Sequence, residues 1–307
     1  MATSATAVSS APRQSFGRAA LPYLLSLPAL LVCIGILVPF GTAFWYSLQR
    51  YNLNLPMLRQ FIWFEQYVQL AQSSAFWSTV WVSLLYTVLT VGVELVLGLG
   101  IALLLRRSNW LNNGLSIALL LPLMVAPAIA ALMWKLMTHP DFGIFSYLIG
   151  LLGVHDFRWA SAPSTALFTV VLVDVWVYTP FIMILLLAGL RSLPRQPFEA
   201  AELDGVPASF VFFRITLPML MPYILTAALF RMLDSIQQFD IVYAMTQGGP
   251  GNATLVFQVQ AYLDFFKNFN VGRSTAMLMV LWLIANLLST QFIKQWLRLR
   301  ERAHGSS

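Results

Sequence analysis

Six long apolar runs, separated by short polar segments, dominate the pattern of hydrophobic and polar positions along the 307-residue chain. The runs cover residues 21–48, 76–105, 114–137, 165–190, 219–245 and 274–297. Each run is longer than the roughly 20 residues that a helix needs to cross a hydrocarbon core of about 30 Å. The pattern therefore predicts an all-α, polytopic membrane protein whose six transmembrane helices lie within residues 19–298.

The composition agrees with this prediction and narrows the possible functions. Hydrophobic residues make up 59% of the chain and charged residues only 10%, whereas soluble domains carry about a quarter charged residues. Most soluble enzyme classes are thereby excluded. The single cysteine, Cys33, and the widely separated His139, His155 and His304 predict neither disulfides nor a metal site.

The basic residues indicate how the chain is oriented in the membrane. The net charge of +6 comes from 18 Lys and Arg against 12 Asp and Glu, and the basic residues lie between the runs and near the chain ends. This distribution is typical of membrane orientation, so we expect no nucleic-acid partner. With both termini in the cytoplasm, the inner segments hold eleven Lys and Arg residues and the outer segments five. Residues 1–18 are predicted to be a disordered cytoplasmic tail, and residues 299–307 a second cytoplasmic tail.

The longest inner connection, residues 191–218 between the fourth and fifth runs, predicts two short helices joined at a glycine. Pro197 is suited to the first turn of a helix, and Glu199 and Glu202 lie near its positive N-terminal end. Gly205 permits a left-handed backbone that ends this helix, and Pro207 is suited to begin the next one. The segment is therefore expected to form a helix–glycine–helix elbow.

The second arm of this elbow is expected to be amphipathic, because Phe210, Phe213 and Leu217 recur at helical spacing. Two interpretations are open. The arm is either an ordinary loop helix lying on lipid headgroups in the plane of the interface, or a helix that binds in a groove on a partner protein. Helical spacing and residue types do not decide between them.

The residues of the elbow resemble a motif of a known protein family. The pattern is Glu199-Ala200-Ala201-x-x-Asp204-Gly205, followed by Phe213-x-Ile215-x-Leu217-Pro218. At this fixed spacing it resembles the EAA loop of the membrane subunits of bacterial ABC importers. Further segments are similar to the maltose-type sugar permeases of that superfamily. They are Trp176-x-x-x-Pro180-Phe181, Phe239-Asp240, Thr246-x-Gly248-Gly249-Pro250 with Thr254, and Gly143-Ile144-Phe145-Ser146-Tyr147-Leu148. The maltose-type permeases commonly have Asn at the position of Ser146. The resemblance covers residues 20–297.

The resemblance implies a coupling role for the elbow. In this family the EAA loop is a coupling helix, which docks in a cleft of a cytoplasmic ATPase and transmits the closure of that ATPase to the membrane helices. The implied coupling residues are Glu199 as the polar contact, Ala200 and Ala201 as small residues that allow close approach, Gly205 as the elbow, and Asp204 beside it.

The resemblance also implies partners, a location and a substrate class. The chain has no G-x-x-x-x-G-K-[ST] sequence to bind nucleotide phosphates, so we expect ATP and Mg²⁺ on a partner, and no enzyme activity or cofactor in this chain. The implied partners are a dimeric cytoplasmic ATPase, a second, related permease subunit forming a heterodimer, and an extracytoplasmic solute-binding protein. The implied location is the bacterial inner membrane, and the implied substrate is a sugar or sugar alcohol, moved by alternating access.

Ionisable residues within the apolar runs are costly and usually face the protein interior. They are Glu94, Lys135, Asp174, Arg231, Asp234 and Asp240. Because Arg231, Asp234 and Gln238 share one helical face, one interpretation is an ion pair of Arg231 with Asp234 that braces the helices. The other is a substrate cavity, since sugar hydroxyls bind carboxylates and amides while sugar C–H surfaces bind aromatic rings. The residues expected to line this cavity are Asp234, Gln237, Gln238, Asp240, Trp176 and Tyr178.

Two other functions are alternatives to the importer. An ion-coupled secondary transporter of a small polar solute would use the intramembrane acids as proton or sodium sites, although such carriers typically have more spans. A membrane-embedded enzyme would need a nucleophile or metal-ligand cluster near a span end, and the sequence has none there. The turn at residues 248–252 is either a plain outer turn or a contact for the binding protein.

Overall fold

The computed structural model of the chain describes residues 16–154 and 157–304. In the first half of the chain the helices are α1 (Phe16–Ser47), α2 (Glu65–Gln72), α3 (Ser74–Leu104), α4 (Trp110–Leu119), α5 (Pro127–Met137) and α6 (Ile144–Leu151). In the second half they are α7 (Pro163–Ser192), α8 (Gln196–Leu203), α9 (Ala208–Phe210), α10 (Leu217–Ile236), α11 (Asp240–Thr246), α12 (Phe257–Phe266) and α13 (Val271–His304). The short turns and strands are 3₁₀ turns at Pro56–Leu58 and Leu121–Met124 and an antiparallel pair of strands, β1 (Gln49–Arg50) and β2 (Gln60–Phe61).

Membrane-spanning segments account for most of the described helices. Five segments are long and apolar enough to span by themselves: Leu25–Ser47, Ser74–Leu104, Pro163–Ser192, Ala208–Ile236 and Val271–Leu297. A sixth is supplied by a helix pair, Trp110–Met124 and Pro127–Met137, whose halves are bent by 91°. With this pair counted as one broken span, the prediction of an all-α protein with six transmembrane helices is confirmed.

The third span is not the continuous helix predicted over residues 114–137. Pro122 lies in the 3₁₀ turn after α4, and Pro127 is the first residue of α5. Proline lacks an N–H to donate and disfavours a helical backbone in the residue before it. Ala126 accordingly has an extended ψ of 132°. The two prolines therefore divide the span into two half-helices.

The fifth span also differs from the predicted residues 219–245. Its continuous helix is Ala208–Ile236, which begins earlier and ends earlier. At its end, glutamine side chains compete with the helix for backbone partners. The amide Nε2 of Gln237 donates to a carbonyl one turn earlier, and Oε1 of Gln238 accepts from the next backbone N–H, each at 3.1 Å. Asp240 consequently begins α11 and does not lie on span five.

The second arm of the elbow is the inner end of span five. The helix α9 passes directly into a π-helical turn, Val211–Thr216, and α10 follows at Leu217. The interpretation of this arm as a separate helix lying flat on the headgroups is therefore wrong. The aromatic side chains of Phe210 and Phe213 are exposed at this end of the span.

The ends of the chain are more helical than predicted. The helix α1 begins at Phe16 and α13 continues to His304, so residues 16–18 and 299–304 are helical where tails were expected. A formed helix extends readily, because each added residue brings one further backbone hydrogen bond. The remainder of both predicted tails lies outside the described residues, as does His155.

The chain divides into two compact units. The first unit ends at Trp45, and its described part is α1 up to that residue. The second unit begins at Tyr46, and α3, α7 and α10 pack together in it. At this packing Ala102, Ile182 and Ala227 are fully buried. Small side chains let membrane helices approach closely, so these three helices form a tight frame for the polar residues that they carry.

Gly98 of α3 provides a test of this packing. A methyl group added at Gly98 would lie 2.6 Å from Cγ2 of Ile182 and 3.1 Å from the backbone nitrogen of Met183. We expect Gly98→Ala to lower the free energy of unfolding by about 1–3 kcal/mol through overpacking, partly offset by better helix propensity. The control is Gly100→Ala on the same helix, where no atom lies within 4 Å of the added methyl. Thermal unfolding in detergent measures both variants, and equal midpoints would contradict the packing.

Candidate functional site

A buried ion cluster joins three of the spans. Arg231 on α10 is only 1% exposed, and its guanidinium contacts Glu94 on α3 and Asp174 on α7, both fully buried. Its Nε lies 2.8 Å from Oε2 of Glu94, and its Nη2 donates to Oε1 of Glu94 at 3.0 Å. The same Nη2 also donates to Oδ2 of Asp174. A single guanidinium therefore holds carboxylates from two neighbouring helices.

The cluster extends to a more open edge. Nη1 of Arg231 lies 2.8 Å from Oδ2 of Asp234, whose side chain is 56% exposed. The guanidinium also lies over the ring of Tyr178, with Cζ 4.0 Å from the ring centroid, so cation–π attraction adds to the ion pairs. Nε2 of Gln238 donates to Oδ1 of Asp174 at 3.0 Å. Polar groups thus continue from the buried centre of the cluster to an accessible carboxylate.

The energetics of burial explain why these groups meet. An isolated charge in a membrane segment is expensive, so charged residues there pair with one another. Arg231 meets three carboxylates, and the cluster therefore contains more acidic than basic groups. A buried hydrogen bond at 2.9 Å between the hydroxyls of Thr90 and Ser235 joins α3 to α10 close to the cluster.

The two interpretations of the intramembrane charges have different outcomes. The ion pair of Arg231 with Asp234 is present, but the brace also includes Glu94 and Asp174, whose part in it the sequence analysis did not predict. The available signal was one acid in each of two otherwise apolar spans. Lys135 lies apart from the cluster, and its Nζ donates to the carbonyl of Ala244 at 3.4 Å.

The residues predicted to line a cavity are only partly brought together. Asp234, Tyr178 and Gln238 lie in the ion cluster, where the amide of Gln238 donates to Asp174 and accepts from the adjacent backbone. The other three are placed as follows: Gln237 is exposed at the end of α10, Asp240 is exposed at the start of α11, and Trp176 packs edge-to-face on Trp134 with ring centroids 5.8 Å apart. The substrate role of all six residues stays a prediction.

The inner elbow has the geometry expected at Gly205. Its φ is +65°, in the left-handed region, and it directly follows the C-cap of α8. The N–H of Val206 donates to the carbonyl of Ala201 at 3.0 Å, and the N–H of Gly205 donates to the carbonyl of Glu202 at 3.2 Å. These two bonds form a Schellman motif, which terminates a helix and sets the direction of the following chain.

The elbow presents a mixed surface to its surroundings. Glu199, Ala200 and Asp204 are exposed, as a contact with a partner requires. Ala201 is only 6% exposed, so its methyl is turned towards the chain itself. Leu203, which the motif did not single out, is 89% exposed at the tip of the elbow. The coupling role of the elbow residues stays a prediction.

Comparison with known families shows where the chain belongs. A family model described as the inner membrane component of binding-protein-dependent transport systems matches residues 94–302, which include the elbow and every member of the ion cluster. The chain belongs to this family. It is therefore a multi-pass inner-membrane transport component, and its resemblance to the permease subunits of ABC importers is confirmed.

Individual members of the permease family are similar over most of the chain. A probable ABC transporter permease of Sinorhizobium fredii is 40% identical, over 82% of each chain. The trehalose/maltose transport permease MalF of Thermococcus litoralis is 35% identical, over 84% of this chain and 86% of that protein. The crystal structure of a bacterial ABC transporter that imports the acidic polysaccharide alginate contains a chain with the same fold, at a TM-score of 0.78 and 18% identity, covering 92% of this chain and 96% of that one.

Arg231 provides a test of the ion cluster. We expect Arg231→Gln to lower the free energy of unfolding by about 3–5 kcal/mol, because it leaves two buried carboxylates without a counter-charge. Asp234→Asn is the control. The Asp234 carboxylate is half exposed and solvated, so its pair with Arg231 contributes little, and its loss should lower the free energy of unfolding by about 1 kcal/mol or less. Thermal unfolding and yield from membranes measure both variants. Equal losses in the two variants would show that the buried pairs do not dominate the cluster.

Proposed function

We propose that the chain is the membrane subunit of an ATP-driven importer that carries a sugar or sugar alcohol into the cytoplasm. The observation that carries this proposal is the family match together with a chain-wide likeness to the trehalose/maltose permease. A trehalose transport permease of Mycobacterium tuberculosis, 34% identical over 94% of this chain, also supports the substrate class. None of the proteins found similar here supports the ion-coupled alternative.

The elbow is the part of the chain suited to receive a movement from an ATPase. Its exposed face combines the acidic Glu199 with the apolar tip residue Leu203. The Schellman motif at Gly205 holds α8 at one angle to the following helix. That following helix is span five, which continues through the π-helical turn to the ion cluster. At 1.5 Å per residue, the distance along the helix from Ala208 to Arg231 is about 35 Å.

The ion cluster allows span five to pass this movement on. Arg231 forms ion pairs with Glu94 on α3 and Asp174 on α7, so a displacement of α10 also acts on these two helices. Interfaces of this kind have discrete packed arrangements and do not deform continuously. A shift of the elbow is therefore expected to rearrange the three helices together, which is what alternating access requires.

Substrate binding is assigned to the open edge of the cluster. Asp234 supplies an accessible carboxylate, and Tyr178 a half-buried ring beside it. Gln237, Asp240 and Trp176 offer further amide, carboxylate and aromatic groups on the neighbouring segments. Sugar hydroxyls and sugar C–H faces bind such groups. Gln238 acts here by holding Asp174 in position.

The proposal includes partner subunits. A dimeric cytoplasmic ATPase binds ATP and Mg²⁺ and receives the elbow, and a second, related permease subunit completes the transmembrane part as a heterodimer. An extracytoplasmic binding protein delivers the substrate. The alginate transporter supports this arrangement, because one of its structures is a complex with a periplasmic protein bound to an alginate pentasaccharide.

Transport by the reconstituted complex tests the proposed function. The chain, its co-expressed partner subunits and the binding protein are placed in proteoliposomes with trehalose or maltose as the first candidate substrates. We expect uptake that requires ATP on the cytoplasmic side of the complex, in the lumen of the proteoliposomes. An ionophore that collapses the ion gradient should not reduce this uptake. Uptake that persists without ATP but collapses with the ion gradient would favour the ion-coupled carrier instead.

Gly205 provides a test of coupling that is independent of a steric clash. An added Cβ would have no atom within 4 Å, so only the left-handed backbone opposes substitution. We expect Gly205→Val to be strained by about 1–2 kcal/mol and to lose most substrate-stimulated ATP hydrolysis, whereas Gly205→Asn, whose side chain tolerates this backbone, retains it. Full stimulation in the Val variant would show that the angle of the elbow does not matter.

The acids at the open edge provide a test of substrate binding. Hydrogen bonds to charged groups contribute about 1.5–3 kcal/mol, so we expect Asp234→Asn and Asp240→Asn each to raise the substrate concentration for half-maximal uptake by about tenfold or more. Asp141→Asn is the matched control, because this acid is exposed in a different connection. An unchanged substrate concentration for half-maximal uptake in both test variants would show that these acids do not bind the substrate.

A further inference from the structure

The connection between spans one and two carries an exposed apolar surface to which the proposed function assigns no role. We define the outer apolar loop as residues 53–64. Met57 in this loop is 96% exposed and Trp63 is 66% exposed. The large apolar residues exposed in the loop are Leu53, Leu55, Met57, Leu58, Phe61, Trp63 and Phe64. A soluble surface rarely keeps such a patch uncovered, so the loop is expected to meet an apolar environment.

The outer apolar loop has a defined fold. Its base is the antiparallel pair β1 and β2, with Gln49 opposite Phe61. The N–H of Leu53 donates to the carbonyl of Phe269 at 2.9 Å, and Asn52 forms a bridge with Asn270. These bonds fasten the loop immediately before the first residue of α13. The apolar side chains are therefore held in place at the outer end of a membrane span.

Charged groups of the loop are engaged within the chain. The guanidinium of Arg59 lies over the ring of Tyr51, with Cζ 4.8 Å from the ring centroid, and Nε of Arg59 donates to Gln49 at 2.5 Å. Glu65, just after the loop, pairs with Arg50 at 2.7 Å. Recognition by another protein usually relies on polar groups at the rim of the contact. The exposed side chains of this loop are mainly aliphatic and aromatic, and the exposed polar ones are Asn54, Arg59 and Gln60.

Neighbouring tryptophans indicate the level of the membrane boundary. Trp77 and Trp81, in the first turns of α3, are 56% and 65% exposed. Exposed tryptophans near the end of a span typically lie among the lipid headgroups. The indole N–H of Trp77 donates to the carbonyl of Ala71 in α2 at 2.7 Å. Because α2 begins directly after Phe64, it connects the outer apolar loop to these tryptophans.

We propose that the outer apolar loop is a membrane-interface anchor that inserts Met57 and Trp63 between the lipids of the outer leaflet. The loop combines aliphatic and indole side chains, which partition into the boundary between headgroups and acyl chains, to a depth of about 5–10 Å. The contact fixes the outer end of α13, through the bonds of the loop to residues 269 and 270.

Depth-dependent fluorescence quenching tests this anchor. The only cysteine of the chain, Cys33, is replaced by alanine, and an environment-sensitive fluorophore is attached to Met57→Cys or, as a second site, Leu55→Cys. The control site is Asn252→Cys, which is exposed and polar on another outer segment. The full chain, with its co-expressed partner subunits, is placed in nanodiscs that contain phosphatidylcholine with a nitroxide near the headgroup end of its acyl chain.

The possible results separate the lipid anchor from other uses of the loop. Before any binding protein is added, we expect the lipid nitroxide to quench most of the emission of labels at 57 and 55, and aqueous iodide to quench little of it. For the label at 252 we expect strong quenching by iodide and little by the nitroxide. Iodide quenching at 57 and 55 without lipid quenching would overturn the proposal. Iodide quenching that disappears only when the binding protein is added would overturn it too, and would identify the loop as a protein contact.

Discussion

The burial of one guanidinium, that of Arg231, is the constraint on which the arrangement of the spans depends. Its two buried carboxylate partners come from two other helices, so α3, α7 and α10 must meet at one height in the membrane. Sliding any of them by a helical turn would separate buried charges, and an unpaired charge in such surroundings costs several kcal/mol. Apolar packing alone would tolerate such slippage more easily, because apolar side chains interchange with similar neighbours.

Span five is the element that connects the inner surface of the protein with this constraint. One end of the helix continues from the elbow, and the other ends just beyond the cluster at Gln237. A single helical segment therefore joins the elbow to the ion cluster. The breaks at Pro122 and Pro127 lie in span three and leave that segment intact.

Much of the architecture could be predicted from the sequence, because span number depends on lengths of apolar sequence and an elbow depends on a local glycine signal. The left-handed backbone of Gly205 is an example. The grouping of Glu94 with Asp174 could not be predicted, since it depends on the rotation of two helices about their axes. The end of span five at Gln237 was missed because side-chain competition for the backbone leaves no trace in the apolar pattern. The inward orientation of Ala201 likewise depends on packing.

The π-helical turn, Val211–Thr216, has a consequence for the phase of span five. A π turn closes its hydrogen bonds one residue later than an α turn, so it inserts one extra residue into the helical register. Every side chain beyond it is rotated by about 100° relative to an uninterrupted α-helix that starts from the same elbow. The direction in which the Arg231 side chain leaves its helix is thus set fifteen residues upstream, next to the elbow. Without the extra residue, the guanidinium would point away from its two carboxylates.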